Sequence, residues 1–327
     1  MKKLILSAIL FAAVFTGVKA QQDAAYSMYM FNGLFLNPAY AGSSEAISVM
    51  AIYRHQWAGL EGAPKTVNAS VHTPFRRDQY AVGLTLTNDR LGLANTFSVT
   101  PAFSYRLRIK QSRLCFGVQA SFAYYYQNST SAVLPDNIPD NAFSLNSNLF
   151  VPNIGFGVYW YGKRYFAGFS VPHLLPAKLR DKTGVSGYNT TIARVYNHYL
   201  FTGGYVFGKE ASIVKFRPSI LMKWQKGLPK NIPQFDINLA LLFVERLWFG
   251  VGYRTGGDGQ GAGNYAGQSA NLFLQFKATP QLQIGYAYDA EISSLRKYNG
   301  GTHEIMIGYD FYYNKKRFVT PRFVKYF

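Results

Sequence analysis

The sequence has little cysteine, little acid and little charge of either sign. Cys115 is the single cysteine among 327 residues, so no internal disulfide can form and a small secreted scaffold held by disulfides is excluded. Charged residues make up 15% of the chain, whereas soluble proteins usually carry about 25%. Lys and Arg (34) outnumber Asp and Glu (16), which gives a net charge of +18. A surplus of this size usually accompanies an anionic neighbour.

Long apolar runs are absent except at the start of the chain. Residues 1–20 read MKKLILSAILFAAVFTGVKA, with two lysines, an apolar stretch and a small-residue cleavage position before Gln21. This pattern predicts a secretory signal peptide, and the stretch is too short for a spanning helix. Its removal would take away three lysines and lower the net charge to about +15. An exported chain would meet lipopolysaccharide, the cell wall or an acidic protein, and no nucleic acid partner is expected.

The sequence is rich in aromatic residues, and in many segments every second residue is apolar or aromatic. Phe, Tyr and Trp make up 17% of the residues. In LCFGVQASFAYYY (114–126), Phe116 and Val118 fall on one face of a strand, and Cys115 and Gly117 fall on the other. An exported chain with this period and no spanning helix predicts an all-β protein, a transmembrane antiparallel barrel of the outer membrane. The same alternation occurs in YAVGLTLT (80–87), NIGFGVYW (153–160), DINLALLF (236–243), NLFLQFK (271–277), QLQIGYAY (281–288) and EIMIGYDF (304–311).

Fourteen strands are predicted, which is an even number as bacterial barrels require. Short turns and longer loops alternate between them, and bacterial barrels place the short turns in the periplasm and the long loops outside. The predicted strands lie near 45–57, 66–74, 79–88, 95–109, 113–127, 151–161, 164–171, 193–207, 211–224, 232–243, 246–254, 268–278, 280–289 and 301–313. The short turns are 75–78, 110–112, 162–163, 208–210, 244–245 and 279, and the loops are 58–65, 89–94, 128–150, 172–192, 225–231, 255–267 and 290–300.

Two segments fall outside the predicted barrel domain, 45–313. Residues 21–44 do not alternate, and they are expected to form a plug or lid on the periplasmic side. Residues 314–327 are basic and aromatic and are expected to form a periplasmic tail. Such a tail suits a disordered end and a docking peptide equally well.

The residues that could carry chemistry form no recognisable site. The five histidines lie in five separate segments without i,i+4 pairs or a neighbouring cysteine, so no metal site is expected. Ser70 and His72 share one strand face, as a hydrolase pair at a barrel rim would, but residues of these types often share a face without reacting. Cys115 has no activating neighbour in sequence and is interpreted as a small filler. We therefore expect no enzyme and no cofactor.

Polar residues on the inward face suit two kinds of barrel. They could line a water-filled channel, or they could hydrogen-bond to a segment that fills the lumen, because every barrel of this class has a polar interior. A porin and a plugged barrel both remain open at this point. The residues concerned are Gln119, Asn238, Arg254, Asn271 and Gln275.

The most distinctive motifs lie near the start of the chain. They are YSMYMFNGLFLNPAYAGS (26–43), AIYRHQWAGLEGAPKT (51–66) and SVHTP (70–74). In order and spacing they closely resemble the PorP/SprF family, outer-membrane proteins of the type IX secretion system and gliding machinery. The resemblance continues more thinly through VGLTLTND (82–89), FGVGYR (249–254), IGYAYD (284–289), GTHEI (301–305) and PRF (321–323).

The resemblance implies a non-enzymatic role in secretion and surface attachment. Family members look like barrel partners of secreted proteins, such as gliding adhesins, that carry a C-terminal sorting domain. Implied partners are that cargo, other type IX components including periplasmic proteins linked to the cell wall, and outer-membrane lipid. The alternative is a general diffusion porin or small-solute channel. Residues expected to fix the shape that a partner recognises are Asn37, Pro38, Tyr40, Gly42, Arg54, Gln56, Trp57, Gly62, Pro64, His303, Glu304, Pro321 and Arg322.

Overall fold

The computed structural model describes ten stretches of the chain: residues 26–44, 46–75, 78–127, 147–180, 191–195, 197–209, 211–225, 232–256, 268–292 and 294–312. Their strands are β1 (Ile47–His55), β2 (Lys65–Phe75), β3 (Tyr80–Leu91), β4 (Ala94–Ile109), β5 (Ser112–Gln127), β6 (Ser147–Tyr161), β7 (Tyr165–Val171), β8 (Ala177–Arg180), β9 (Thr191–Val195), β10 (His198–Tyr205), β11 (Val214–Gln225), β12 (Gln234–Phe243), β13 (Leu247–Arg254), β14 (Ser269–Lys277), β15 (Leu282–Glu291) and β16 (Thr302–Phe311). Short 3-10 helices are η1 (Tyr29–Phe31), η2 (Gly33–Phe35), η3 (Pro38–Tyr40) and η4 (Ser294–Lys297).

Fourteen of these strands form one closed antiparallel barrel, so the predicted fold class and strand number are confirmed. Strands follow one another around the barrel in chain order, and β1 pairs with β16 to close it, with Arg54 opposite Glu304. Closure leaves no open edge on β1 or β16, which a membrane-spanning sheet requires. Strands β8 and β9 form a separate two-stranded sheet between β7 and β10.

The alternation seen in the sequence corresponds to the two faces of the barrel wall, one outward and one toward the lumen. On β14, Leu272 and Leu274 are exposed on the outer face, whereas Asn271 and Gln275 are buried on the inner face. Leucine side chains on the outer face suit a hydrocarbon solvent, and the Gln275 amide donates to Gln283 on β15 at 3.1 Å inside the barrel. Within the described residues, no helix is long and apolar enough to cross a membrane.

Several predicted boundaries were wrong. The loop predicted at 89–94 is a two-residue turn, Gly92–Leu93, with a left-handed φ of 55° at Gly92. The predicted strand 193–207 is split, because Thr191–Val195 pairs with Ala177–Arg180 and leaves the barrel wall. The predicted three-residue turn at 208–210 lies in a longer connection between β10 and β11, and Phe207 in this connection pairs with Phe216 of β11.

The two ends of the barrel differ and are named here for use below. At the turn end, β2 ends at Phe75 and β4 ends at Ile109. At the loop end, β13 ends at Arg254 and β15 ends at Glu291. Residues 128–146 and 257–267, which were predicted as parts of long loops, lie outside the described residues.

Candidate functional site in the barrel lumen

The N-terminal segment, Tyr26–Ser44, lies inside the barrel. It contains the three 3-10 helices η1 to η3, and most of its residues are buried. Its hydrogen-bond partners are inward side chains and carbonyls from several strands of the wall, including Glu304 on β16 and Ser104 on β4. Tyr26 lies at the loop end, where its carbonyl accepts a bond from Arg254 (3.3 Å). The segment therefore follows the lumen from the loop end to the turn end before it enters β1.

A cluster of buried charges surrounds the loop-end part of this segment. Arg54 contacts Asp289 at 2.8 Å and Glu304 at 2.9 Å. Arg254 contacts Asp236 at 2.9 Å and Asp289 at 3.7 Å. The five side chains come from β1, β12, β13, β15 and β16, and all are buried. We call these five residues the ionic cluster.

Ser27 and Met28 attach the segment to the ionic cluster. The two carboxylate oxygens of Glu304 accept hydrogen bonds from the backbone N–H groups of Ser27 (2.9 Å) and Met28 (2.8 Å). The Ser27 hydroxyl donates to Asp289 at 2.6 Å. Bonds to ionised acceptors are about twice as strong as neutral ones. The backbone of the segment and the Ser27 hydroxyl thus complete the coordination of two carboxylates that would otherwise be buried with fewer partners.

Aromatic contacts hold the next turn of the segment. The Phe31 ring lies edge-on to Trp248 and Phe273, with centroid distances of 6.4 and 6.1 Å. The Arg217 guanidinium stacks on Trp248 at 4.1 Å and approaches Phe31 at 5.2 Å. Cation–π contacts of this kind gain strength when water is excluded.

Polar side chains continue the attachment on both sides of the lumen. Asn32 donates to Asn68 (3.2 Å) and accepts from the Ser70 hydroxyl (3.1 Å), both on β2. Across the lumen, Asn238 on β12 donates to the Tyr29 hydroxyl at 3.1 Å. The segment is therefore bonded to opposite walls at one level of the barrel.

Asn37 and Pro38 begin the last 3-10 helix as capping rules predict. The Asn37 side-chain oxygen accepts from the N–H of Ala39 (2.9 Å), and proline occupies the first helical position. The Asn37 amide also donates to the carbonyls of Val158 on β6 (3.0 Å) and Phe169 on β7 (3.2 Å). One side chain thus caps the helix and joins it to two strands.

Tyr40 and Gly42 place the end of the segment at the turn end. The Tyr40 ring packs between His72 and Tyr159, each at a centroid distance of 5.5 Å. The Gly42 N–H donates to His72 Nδ1 at 3.1 Å, and its φ of 75° is a conformation that favours glycine. Ser70 and His72, the residues of the possible hydrolase pair, both bond to the N-terminal segment.

Glycines in the strands make room for the segment. A Cβ on Gly117 would overlap the backbone of Ala39, and one on Gly157 would overlap the side chain of Asn37. On β15, a Cβ on Gly285 would lie 3.0 Å from Met28 Sδ. The interior wall is thus shaped to the segment along its length.

Burial controls the protonation of the segment's tyrosines. Desolvation raises the pKa of Tyr29, and the nearby Asp236 carboxylate raises it further. Desolvation is also the main cause that raises the pKa of Tyr40. Both phenols therefore stay neutral and can donate a hydrogen bond at any physiological pH.

The structure brings together some, but not all, of the residues that the sequence singled out. Asn37, Pro38, Tyr40 and Gly42 lie in the lumen near the turn end, and Arg54 and Glu304 belong to the ionic cluster. His303 lies on the outer face of the barrel wall, beside the Tyr286 hydroxyl (2.7 Å). Pro321 and Arg322 lie outside the described residues.

The first loop packs against its neighbours at the loop end. The Gln56 N–H donates to the Pro64 carbonyl at 2.9 Å, and the Gly62 carbonyl accepts from Gly92 at 2.9 Å. The indole N–H of Trp57 points to Glu291 at 3.4 Å. This loop therefore has a fixed shape at the rim of the barrel.

Most of the ionic cluster is not recognisable as a site in the sequence. Arg254 was noted only as a polar lumen residue, and Ser27, Asp236 and Asp289 were not singled out. A usable signal existed, because each of the three charged residues occupies an inward position near the loop end of a strand. An ionised group in such a position needs a partner, so several of them at one level indicate a shared cluster.

Comparison with protein families identifies the family of the chain. Residues 18–309 match the model of the family described as type IX secretion system membrane protein PorP/SprF. The chain belongs to this family. With its closed barrel, it is a PorP/SprF outer-membrane protein of the type IX secretion system. Among curated proteins, none matches this chain.

Solved structures that resemble the chain are outer-membrane barrels. A Pseudomonas aeruginosa FadL homologue is 12% identical, with 86% of this chain and 94% of that chain covered and a TM-score of 0.48. The CymD monoaromatic hydrocarbon channel is 14% identical, with coverages of 86% and 93% and a TM-score of 0.48. Acinetobacter baumannii Omp33 is 10% identical, with coverages of 83% and 100% and a TM-score of 0.42. At such low identity, what those proteins transport says nothing about this chain.

Proposed function

We propose that this PorP/SprF barrel binds a secreted type IX cargo through the C-terminal sorting domain of that cargo, and anchors it or helps deliver it at the cell surface. Family membership supports the role in secretion. The observation that carries the proposal is the occupied lumen, because a wide aqueous path for diffusing solutes would need the space that Tyr26–Ser44 fills.

The N-terminal segment would act as the plug of the barrel. It bonds to opposite walls, from the ionic cluster at the loop end to His72 at the turn end. Release of the loop-end part would break the hydrogen bonds of Ser27 and Met28 to Glu304 and Asp289. A hydrogen bond to a charged group contributes about 1.5–3 kcal/mol, so spontaneous release would be rare. The signal peptide 1–20 and the periplasmic tail 314–327 belong to the same proposal, in which the tail meets cell-wall-linked type IX components.

Conductance across planar bilayers separates a plugged receptor from a diffusion porin. The intact protein should show no large, steady conductance, because the segment occupies the lumen. A variant lacking residues 26–40 should conduct, provided that it keeps the heat-dependent gel mobility of a folded barrel. A large, steady conductance from the intact protein would refute the plugged-receptor proposal.

Capture of cargo tests the binding role directly. The full chain, in native outer membrane or in detergent, is offered purified C-terminal sorting domains from the secreted proteins of the same organism, beginning with any encoded by a neighbouring gene. At least one domain should be retained, and an unrelated β-rich domain of similar size and charge should not. Retention of none of the panel would refute the proposed function.

A further inference from the structure

Strand β6 is paired unequally on its two edges. Its pairing with β5 runs the whole way from Ser147 to Tyr161. Its pairing with β7 covers only Phe156 to Tyr161. Among the described residues, no strand pairs with the other edge of β6 over 147–155, although the barrel is closed below this level.

The gap arises because the chain leaves β7 toward the lumen. Val171 and Pro172 are buried, and the Pro172 carbonyl accepts a bond from Gln119 on β5 (3.3 Å). A Cβ on Gly155 would lie only 2.5 Å from that carbonyl oxygen, so glycine at this position permits the inward turn. The chain after β7 therefore does not continue the wall beside β6.

One short contact ends the paired part of this edge. The Leu174 N–H donates to the Ile154 carbonyl at 2.9 Å. The Asn153 side chain accepts from the N–H groups of Ile154 (2.9 Å) and Leu175 (3.0 Å). These bonds pair the backbone groups of Ile154. They also fix Leu174 and Leu175 beside Ile154, so that this part of the chain does not pair with residues 147–152 of β6.

The remaining edge presents backbone donors and acceptors. Alternate residues of a strand direct their N–H and C=O groups to opposite edges. Because Ile154 faces this edge, Asn148, Phe150 and Pro152 face it as well. Pro152 has no backbone N–H, so it leaves no donor unpaired at an edge position. The edge thus offers two donors, at Asn148 and Phe150, and three carbonyl acceptors.

Apolar side chains flank the same edge on the outer face of the barrel wall. Phe150 is 59% exposed and Ile154 is 50% exposed. Phe150 stacks on Phe122 of β5 at 6.3 Å. At 15 and 16 residues, β6 and β5 are about twice as long as β13 with its eight, so their loop-end parts extend farther.

We infer that the edge of β6 from Asn148 to Pro152 is a strand-addition site, and that it binds an edge strand of the cargo sorting domain. This inference rests on the proposed function. A lipid chain could cover the apolar side chains but could not satisfy the backbone groups, whereas an added strand does both. The chain carries a net charge of +18, so a strand from an acidic domain fits best.

Proline substitution tests the site without disturbing the ladder between β5 and β6. The double variant Asn148→Pro, Phe150→Pro removes both edge donors, and Asn148→Ala, Phe150→Ala is the matched control that keeps them. We expect the proline pair to retain at least tenfold less sorting domain than the alanine pair, with both variants showing the gel mobility of a folded barrel. Equal retention by the two pairs would overturn the inference.

Hydrogen exchange of the unmodified protein gives a second measurement that does not depend on variants. The amides of Asn148 and Phe150 should exchange rapidly in the free barrel and several-fold more slowly with the sorting domain bound, whereas the amides bonded to β5 should exchange slowly in both states. Slow exchange of Asn148 and Phe150 in the free barrel would mean that residues 128–146 or a second copy of the chain already covers the edge, and would overturn the inference. A wild-type barrel that captures no sorting domain refutes the proposed function itself, whereas capture that ignores the proline pair refutes only this site.

Discussion

The ionic cluster should control release of the N-terminal segment, and Glu304→Gln tests this with the smallest change in shape. The Glu304 carboxylate accepts from Ser27 N (2.9 Å), Met28 N (2.8 Å) and Arg54 Nη1 (2.9 Å) and is fully buried. Glutamine keeps one acceptor and places an NH₂ group where the second backbone N–H needs an oxygen. A buried donor left unpaired costs about 1–3 kcal/mol.

The change also weakens the bonds that remain, because a neutral amide is a poorer acceptor than a carboxylate. Together these effects should favour release of the loop-end part by about 3 kcal/mol, which corresponds to roughly a 100-fold larger released population. Arg54 retains its contact with Asp289 at 2.8 Å, so the barrel itself should stay closed.

The released population can be measured by cysteine labelling. Met30→Cys, in a Cys115→Ser background, places a thiol on a buried side chain of the segment. Its rate of reaction with a membrane-impermeant maleimide should rise about 100-fold in Glu304→Gln, following the population estimate above. Glu61→Gln, an exposed glutamate in the first loop, is the matched control. If the two variants label within twofold of each other, while both barrels remain folded on gels, the ionic cluster does not hold the segment.

Two further predictions concern the turn-end half of the segment. Gly117→Ala forces a methyl group against the backbone of Ala39 and should cost about 1–3 kcal/mol. Gly203→Ala, where the nearest atom to a new Cβ is 3.8 Å away, should leave the thermal unfolding midpoint unchanged, and an equal loss in both variants would contradict the close fit. Asn37→Ala removes a helix cap and two bonds to strand carbonyls, so it should lower unfolding free energy by about 2 kcal/mol; an unchanged denaturation midpoint would contradict that role.

The strand pattern was predictable because it is local. In β5, every second residue from Phe116 to Tyr124 is exposed or partly exposed on the outer face, and this period is visible in any window of ten residues. Turn chemistry was less informative. Gly92 alone did not reveal that β3 and β4 continue to within two residues of each other, and nothing local distinguishes a strand that joins the wall from one that pairs with β8 outside it.

The lumen site was not predictable in the same way, because its contacts join distant parts of the chain. Ser27 meets Glu304 across 277 positions, and Arg54 meets Glu304 across 250. These pairs exist only once β1 has paired with β16 and the segment has entered the closed barrel. The motifs shared with the family contain Arg54 and Glu304 as separate residues. They become partners because β1 and β16 pair in a register that sets Arg54 opposite Glu304.

The path of the segment also restricts how it can open. Its Ser44 end continues directly into β1 at the turn end, so that end is tethered to the wall, and Gly42 remains bonded to His72 beside it. Only the Tyr26 end can leave, and it can leave only after Ser27 parts from the ionic cluster at the loop end. A partner that approaches from the loop end therefore meets Ser27 and the ionic cluster, where binding could be coupled to release. A partner that approaches from the turn end meets the tether, and would have to act through the wall.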